Sequence, residues 1–125
     1  MEAGYIYLSM GKFQEATDIF EAVEVLSPKN EIPLVAQGTV HFARMKYEEA
    51  IRFYKRGLRL KSESAFARTY LGEAYFFMGK EKEAMKELQK ASQLDPEGTA
   101  GSFARSLQEA IQKGFNPPGK RELRE

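Results

Sequence analysis

Residues 72–96 read GEAYFFMGKEKEAMKELQKASQLDP, and the same spacing of small, aromatic and turn residues occurs twice earlier in the chain. A shift of 34 residues aligns three glycines, a ring three residues after each glycine, an alanine, a large side chain and a turn residue. The aligned columns are Gly4, Gly38 and Gly72; Tyr7, His41 and Tyr75; Ala16, Ala50 and Ala84; Phe20, Tyr54 and Leu88; Pro28, Ser62 and Pro96. Because the copies need no insertion or deletion, the pattern indicates a repeat protein.

Each copy of the repeat predicts two helices joined by a short turn. The first helix carries the glycine and the ring, and the second carries the alanine and the large side chain four residues on. Gly11 and Gly79 are expected to end the first helices of copies one and three, because glycine adopts the left-handed conformation without a Cβ clash. Met45 takes this position in copy two, where it must accept strain or adopt another geometry.

The residues after the third copy predict one further helix. In residues 99–113, one helical face carries Phe103, Leu107, Ala110 and Ile111, and Gly114 follows as a stop. Such a helix would cover the last repeat of a stack. The predicted organisation is one domain over residues 1–114, with repeats at about 1–30, 31–64 and 65–98, a capping helix at 99–113 and an extended tail at 115–125. Copy one starts about four residues late for this period, which suggests a removed segment or a partner that covers this end.

Composition restricts the chemistry that the 125 residues can support. The chain has no cysteine and one histidine, which excludes disulfides, thiolate nucleophiles, cysteine-ligated zinc and multi-histidine metal sites. The 19 basic and 18 acidic residues nearly cancel, so no overall field attracts nucleic acid or an acidic membrane. The sequence shows no signal peptide and no membrane-spanning stretch, and we therefore expect a cytoplasmic protein. We also expect no enzymatic activity, cofactor, metal, nucleic acid partner or membrane insertion.

Three local features have a functional and a purely structural interpretation. Residues 114–120 match the spacing GxxxxGK of a phosphate-binding loop, but Arg121 offers no hydroxyl, Pro117 and Pro118 lack N–H donors, and the segment follows a helix. His41 fills the ring column of its repeat, so we interpret it as a packed, hydrogen-bonded ring and not as a catalytic base. One helical face of copy two carries the basic stripe, which is either a solvated surface or a docking surface for an acidic partner: Arg52, Lys55, Arg56 and Arg59.

The repeat resembles the tetratricopeptide repeat, whose pattern joins a small residue, an aromatic three residues later, an alanine, a second aromatic and a terminal proline at this period. The resemblance covers about residues 1–98, and its departures, at His41, Ser62 and Leu88, are local. It implies an all-α fold of three tandem helix-turn-helix repeats plus a C-terminal capping helix, arranged as a right-handed superhelical stack. The expected number of helices is seven.

In stacked repeats of this kind the first helices line a concave groove, and in this chain the positions that face it are unusually apolar. We expect the rings of Phe42, Phe66 and Phe76 to be exposed along this groove, whereas Phe77 fits the groove or the helix seam equally well. The predicted peptide-binding residues are Tyr5, Leu8, Ile32, Val35, Thr39, Phe42, Phe66, Thr69, Tyr70, Glu73, Phe76 and Phe77.

Within the family, the stretch from Tyr47 to Tyr54, followed by Gly57, is similar to the small chaperones of bacterial type III secretion. This resemblance implies a chaperone or adaptor that holds an extended apolar stretch of a client protein. The branch that clamps the C-terminal carboxylate of heat-shock chaperones is not matched, because its clamp positions hold no donor of a charge-assisted hydrogen bond. Those positions are Met1, Tyr5, Ala36, Phe66 and Tyr70.

Two functional hypotheses follow. The leading one is a module that binds an extended apolar peptide or helix of a protein client in its groove. The alternative is a structural assembly protein, in which the groove and the open N-terminal end drive self-association into homo-oligomers.

Overall fold

The computed structural model describes residues 1–117, and these residues form seven α-helices and no strand. The helices are α1 (Glu2–Ser9), α2 (Phe13–Leu26), α3 (Ile32–Ala43), α4 (Tyr47–Leu60), α5 (Ala65–Phe77), α6 (Glu81–Leu94) and α7 (Thr99–Gln112). Each copy of the repeat supplies two helices and α7 follows the third, so the predicted all-α fold and its helices are confirmed. Residues 118–125, which hold the end of the expected tail and of the GxxxxGK segment, lie outside the described part. None of the helices within residues 1–117 is long and apolar enough to cross a bilayer.

The helices group into two compact units, Met1–Ser62 and Glu63–Glu125. The first unit holds α1 to α4, which are the first two repeats, and the second holds α5 to α7. Each unit contains its own hydrophobic cluster. The single domain expected over residues 1–114 stays a prediction.

Close helix packing in the first unit depends on glycine. A Cβ on Gly38 of α3 would lie 2.6 Å from Cε1 of Tyr54 in α4, well inside van der Waals contact. The Tyr54 side chain is fully buried, and its hydroxyl lies 3.3 Å from Oγ1 of Thr39. The aligned column therefore requires glycine, because in each repeat the large side chain sixteen residues later occupies the space that a Cβ would fill.

A second contact in this unit joins neighbouring repeats. Ala16 and Phe20 of α2 are fully buried, and they share a cluster with Ala36 and Val40 of α3. The small alanines let the two helices approach, and the phenylalanine fills the space between them. The contact between α2 and α3 therefore joins the first repeat to the second in this unit.

The turn after the first helix has one geometry in all three repeats. A backbone N–H just past the turn donates to the carbonyl of the ring residue; the pairs are Lys12–Tyr7, Lys46–His41 and Lys80–Tyr75, at 2.8, 2.9 and 2.9 Å. Gly11 and Gly79 have φ of 75° and 78°, and Met45 has φ of 60° at the same place. Met45 therefore accepts the left-handed conformation, at a cost of about 1–2 kcal/mol, and the turn keeps its geometry.

The second unit is built around Leu88 of α6, which is fully buried. Ala104 and Ile111 of α7 share its cluster, together with Phe76 of α5 and Ala84 of α6. The apolar face of α7 thus lies against the third repeat, as expected for a capping helix.

A mostly buried ion pair joins α5 to α6 in this unit. Nη1 of Arg68 lies 2.7 Å from Oε1 of Glu87, and the two side chains are only 17% and 11% exposed. The other carboxylate oxygen of Glu87 lies 3.9 Å from Nζ of Lys90. Because both charges are largely withdrawn from water, each depends on its partner.

Candidate functional site

The candidate site is a small pocket between α5 and α7 of the second unit. Its volume is about 110 Å³. Three residues of each helix line it: Phe66, Thr69 and Tyr70 of α5, and Thr99, Ala100 and Phe103 of α7. The pocket is therefore formed by a repeat helix and the capping helix.

Local hydrogen bonds place the α5 side of the pocket. Ser64 begins α5, because its side-chain oxygen accepts a hydrogen bond from the N–H of Ala67 at 3.1 Å. The hydroxyl of Thr69 donates to the carbonyl of Ala100 at 3.1 Å, which links α5 to the first turn of α7. Phe66 and Tyr70 lie one turn apart on α5 and so project from the same face.

The rim of the pocket is aromatic and partly open to solvent. Phe66 is 48% exposed and Phe103 is 36% exposed, although both side chains are large and apolar. The rings of Tyr70 and Phe103 meet edge to face, with centroids 6.4 Å apart. An exposed apolar surface beside a pocket is typical of a site that buries a partner.

A carboxylate lies less than one turn beyond the pocket. Glu73 of α5 is half-buried, and this burial raises its pKa to about 7. Burial also raises the pKa of the Tyr70 hydroxyl, and the negative charge of Glu73 adds to the effect. The site therefore combines aromatic surface with one poorly solvated acidic group.

The predicted binding residues of the second unit fall into two groups. Phe66, Thr69 and Tyr70 are brought together in the pocket, and Glu73 lies beyond them on α5. Phe77, half-buried, packs against the core cluster, its ring 6.0 Å from that of Phe76.

The expectation that the ring of Phe76 is exposed is wrong. Phe76 is 5% exposed and belongs to the core cluster with Ala84 and Leu88. It lies four residues after Gly72, so it shares the helix face that packs on α6.

In the first unit, the predicted binding residues form no comparable set. Tyr5 is exposed, and its ring lies 5.1 Å from that of Phe20. Val35 is buried, at 5% exposure, and its carbonyl accepts a hydrogen bond from the Thr39 hydroxyl at 3.1 Å. The remaining members are half-buried: Leu8, Ile32, Thr39 and Phe42.

Sequence reasoning missed the α7 side of the pocket. Thr99 and Ala100 were not singled out, and Phe103 was assigned to the apolar face that covers the last repeat. Phe103 begins that face, one turn before Leu107, and a ring at the edge of an apolar stripe is a position from which partial exposure could have been inferred.

The ring of His41 is packed as expected, but within the residues that the structure describes the expected hydrogen bond is missing at Nδ1. It stacks on Phe53 with centroids 5.2 Å apart, and its buried Nδ1 has no hydrogen-bond partner among residues 1–117. Burial lowers the pKa of this histidine, partly offset by the nearby charge of Glu49.

The basic stripe is partly neutralised within its own unit. Arg56 lies 3.3 Å from Oε2 of Glu24 and 5.0 Å from the centre of the Phe53 ring. Arg52 lies 4.0 Å from Glu49 and is mostly exposed. Within the described chain, no group of three or more His, Cys, Asp or Glu side chains is placed to hold a metal ion.

Two family models with the same description match this chain, one over residues 34–111 and the other over residues 1–30. Both are models of the tetratricopeptide repeat. Among curated proteins, the CTR9 homologue of Arabidopsis thaliana is 28% identical over 102 residues, which are 81% of this chain and 9% of that protein. Subunit 3 of the anaphase-promoting complex of Schizosaccharomyces pombe is 23% identical over 94 residues, 75% of this chain and 14% of that protein. The chain thus spans about a tenth of the length of these relatives.

Solved structures with the same fold include chaperones. The Yersinia enterocolitica type III secretion translocator chaperone SycD superposes with a TM-score of 0.78 at 21% identity, over 87% of this chain and 84% of that one. PcrH, in complex with the chaperone binding region of PopD, superposes with a TM-score of 0.76 at 19% identity, over 90% of this chain and 87% of that one. The second repeat domain of human RPAP3, in complex with an HSP70 peptide, superposes with a TM-score of 0.70 at 21% identity, over 84% of this chain and 88% of that one. The resemblance to type III secretion chaperones therefore holds for the fold.

Proposed function

Since the chain belongs to the tetratricopeptide repeat family, we propose that it is a non-catalytic module that holds an extended apolar segment of a client protein. The observation that carries this proposal is the pocket between α5 and α7, whose rim leaves Phe66 and Phe103 partly exposed. Burying one phenylalanine side chain contributes about 1.5–3 kcal/mol, so covering these two rings could offset the cost of ordering a peptide.

Proteins of the same fold support a peptide ligand. SycD has been solved in complex with a peptide of the translocator YopD, and the first repeat domain of Spaghetti (RPAP3) with an HSP90 peptide. The heat-shock peptides are the less suitable comparison, because Tyr5, Ala36 and Phe66 take clamp positions that would have to bind a terminal carboxylate. The client of this chain is therefore an internal apolar segment.

The proposed role is that of a cytoplasmic chaperone, of the kind that serves type III secretion in bacteria. Its support is the fold, which superposes on that of SycD with a TM-score of 0.78, together with the peptide and client complexes in which SycD and PcrH have been solved. An adaptor inside a large assembly is the other form of the same proposal, and the relatives CTR9 and anaphase-promoting complex subunit 3 support it.

The function is tested by removing the aromatic rim. We expect the double variant Phe66→Ala, Phe103→Ala to keep its helical circular dichroism and to lose the proteins that the wild-type chain captures from lysate of its source cells. Phe115→Ala is the matched control, because Phe115 is 52% exposed and does not line the pocket. Captured proteins are identified by mass spectrometry, and binding segments are then located on peptide arrays. Capture that survives in the rim variant would contradict the proposed site.

A specific observation also favours self-association as a second function. Gln37 and Val40 of α3, and Arg44 just after its end, lie against α2: Gln37 donates to Glu24 at 2.7 Å, Val40 shares the cluster of Phe20, and Arg44 lies 5.7 Å from the Phe13 ring centre. The residues 34 positions earlier are Ala3 and Ile6 of α1 and Met10, which follows its last residue, and all three are exposed. We call them the α1 stripe. Ala3 and Met10 stand where α3 and its end carry the polar residues Gln37 and Arg44. The α1 stripe is therefore apolar throughout, and it could pack against a second apolar surface, such as the α1 stripe of a second copy of this chain.

The self-association hypothesis predicts a dimer that depends on the α1 stripe. Ile6→Lys should weaken association at least about tenfold, because a charge would have to be buried in an apolar contact. Val25→Lys is the control, since Val25 is even more exposed than Ile6, at 78% against 59%, but lies on α2. Sedimentation velocity over a range of concentrations measures the effect. A wild-type chain that stays monomeric at every concentration would refute this function.

A further inference from the structure

Glu73 differs from Glu87, the buried carboxylate of the second unit. Glu87 is 11% exposed and is paired with Arg68 at 2.7 Å. Glu73 is half-buried on α5, and within residues 1–117 no lysine, arginine or histidine lies within 4.0 Å of its carboxylate. A carboxylate that has lost much of its water and gained no cation is costly in its charged form.

The titration of Glu73 agrees with this geometry. Burial raises its pKa to about 7, and within residues 1–117 no salt-bridge partner opposes the shift. A cation brought to this carboxylate would therefore meet an acid whose charge is poorly compensated by the protein itself. The resulting attraction would be larger than at an exposed carboxylate, because water screens it less.

The surface next to Glu73 suits the stem of a basic side chain. Tyr70 is less than one turn away on the same helix, and its ring contacts Phe103 across the pocket. Lysine and arginine lay their methylene groups along apolar surface while the charged end reaches a polar partner. Aromatic faces also attract cations directly.

Helix geometry gives the distance between the pocket and Glu73, and therefore the number of residues that separates the two side chains of a peptide that contacts both. The mean position of the three α5 residues that line the pocket is near residue 68, about five residues before Glu73. Because a helix rises about 1.5 Å per residue, Glu73 lies about 7 Å from the pocket along the axis of α5. An extended peptide advances about 3.3 Å per residue, so this distance corresponds to about two residues. The pocket volume of 110 Å³ suits one aliphatic side chain.

We propose that the site binds an extended peptide in which an aliphatic side chain enters the pocket between α5 and α7 and a lysine or arginine two residues away pairs with Glu73. This proposal rests on the proposed peptide-binding function and specifies its ligand as an apolar and basic segment. The charge complementarity of Glu73 commits the site to a cationic partner. Binding of a purely apolar segment is the competing outcome.

Two synthetic peptides test the charge requirement on the unmodified protein. The probe is acetyl-GSKSLSKSG-amide, which places lysine two residues to either side of leucine and so serves both chain directions. The comparison peptide is identical except that both lysines are Nε-acetylated, which keeps the stem and removes the charge. We expect the charged peptide to bind at least about tenfold more tightly, equivalent to about 1.4 kcal/mol. Chemical-shift titration of the isotope-labelled protein gives both affinities and the location of binding.

Variants then assign the effect to one carboxylate. Glu73→Gln should reduce the preference for the charged peptide to less than about twofold, because the amide keeps the shape and loses the charge. Glu81→Gln is the control, since Glu81 is an exposed carboxylate of the same unit at the start of α6, and it should leave the preference unchanged.

The outcomes separate the two proposals. Equal affinity for both peptides, with shifts at the pocket residues, would overturn the role of Glu73 and leave the peptide-binding function standing. Shifts confined to other parts of the protein, or no binding of either peptide, would overturn the inference, and the capture experiment with the rim variant would then decide the function by itself. A preference that survives in Glu73→Gln would equally overturn it.

Discussion

Replacing Gly38 with leucine is expected to lower the free energy of unfolding by at least about 2 kcal/mol. The reason is overpacking: even a Cβ at this position would lie 2.6 Å from the ring of Tyr54 and 3.1 Å from the carbonyl oxygen of Ala50. Tyr54 is fully buried and cannot move aside without displacing the α3–α4 contact. Urea denaturation followed by circular dichroism measures the effect, and an unchanged midpoint would show that the glycine column has no packing role.

The control for this prediction is a pair of alanine variants. Gly38→Ala and Gly57→Ala each gain about 1 kcal/mol of helix propensity, because both glycines are inside helices. They differ in surroundings, since a Cβ on Gly57 would meet nothing closer than Cγ2 of Val35, at 3.2 Å. We expect Gly38→Ala to be clearly more destabilising than Gly57→Ala, because only at Gly38 would the Cβ lie under 3.0 Å from a neighbouring side chain. Two variants with the same sign and size would contradict the overpacking argument.

Replacing Arg68 with methionine should destabilise the protein by about 3 kcal/mol. Methionine keeps much of the stem but leaves the Glu87 carboxylate, 11% exposed, with Lys90 at 3.9 Å as its remaining cation. The double variant Arg68→Met, Glu87→Leu removes both charges and should recover most of the loss, because the Glu87 carboxylate no longer remains buried without its arginine. Urea midpoints of the two variants provide the measurement.

An exposed ion pair with the same N–O distance serves as the control for Arg68. Lys113 and Glu109 are also 2.7 Å apart, but their side chains are 62% and 65% exposed. Lys113→Met should leave the midpoint unchanged within error, because solvent screens such a pair. If the double variant were no more stable than Arg68→Met, the loss would come from packing of the arginine stem and not from the stranded carboxylate.

The sequence alone predicted the helices well because each depends on local, repeated features. The glycine, ring and alanine columns determine where helices pair, and Gly11 and Gly79 mark the turns between them. Even the substitution of Met45 for glycine could be noticed, although only the structure shows that the turn geometry is retained. A periodic pattern averages over many residues, so a single departure from it changes little.

The candidate site was predicted less completely, for two physical reasons. Phe76 was expected to be exposed, yet the first helix of a repeat packs on neighbours through more than one face, and sequence does not show which aromatic residues are covered. The pocket itself joins Phe66 to Phe103, which are 37 positions apart and belong to helices that are not consecutive. Such tertiary contacts have no local pattern, and the lack of a cation beside Glu73 within residues 1–117 is likewise a property of the folded surroundings.

The shared geometry of the three turns has a consequence for how this sequence can change in length. An additional residue in one turn would disrupt the hydrogen bond that closes it, and if the following helix took that residue up, the rest of the helix would rotate by about 100° about its axis, because an α-helix has about 3.6 residues per turn. The alanine and the large side chain that face the first helix, such as Ala50 and Tyr54, would then point away from Gly38. Substitution in a turn is tolerated, as Met45 demonstrates, whereas insertion of a single residue would break the contact. We therefore expect length variants of this protein to lack single-residue insertions in these three turns, whereas gain or loss of a whole unit of 34 residues would keep every helix pair in register.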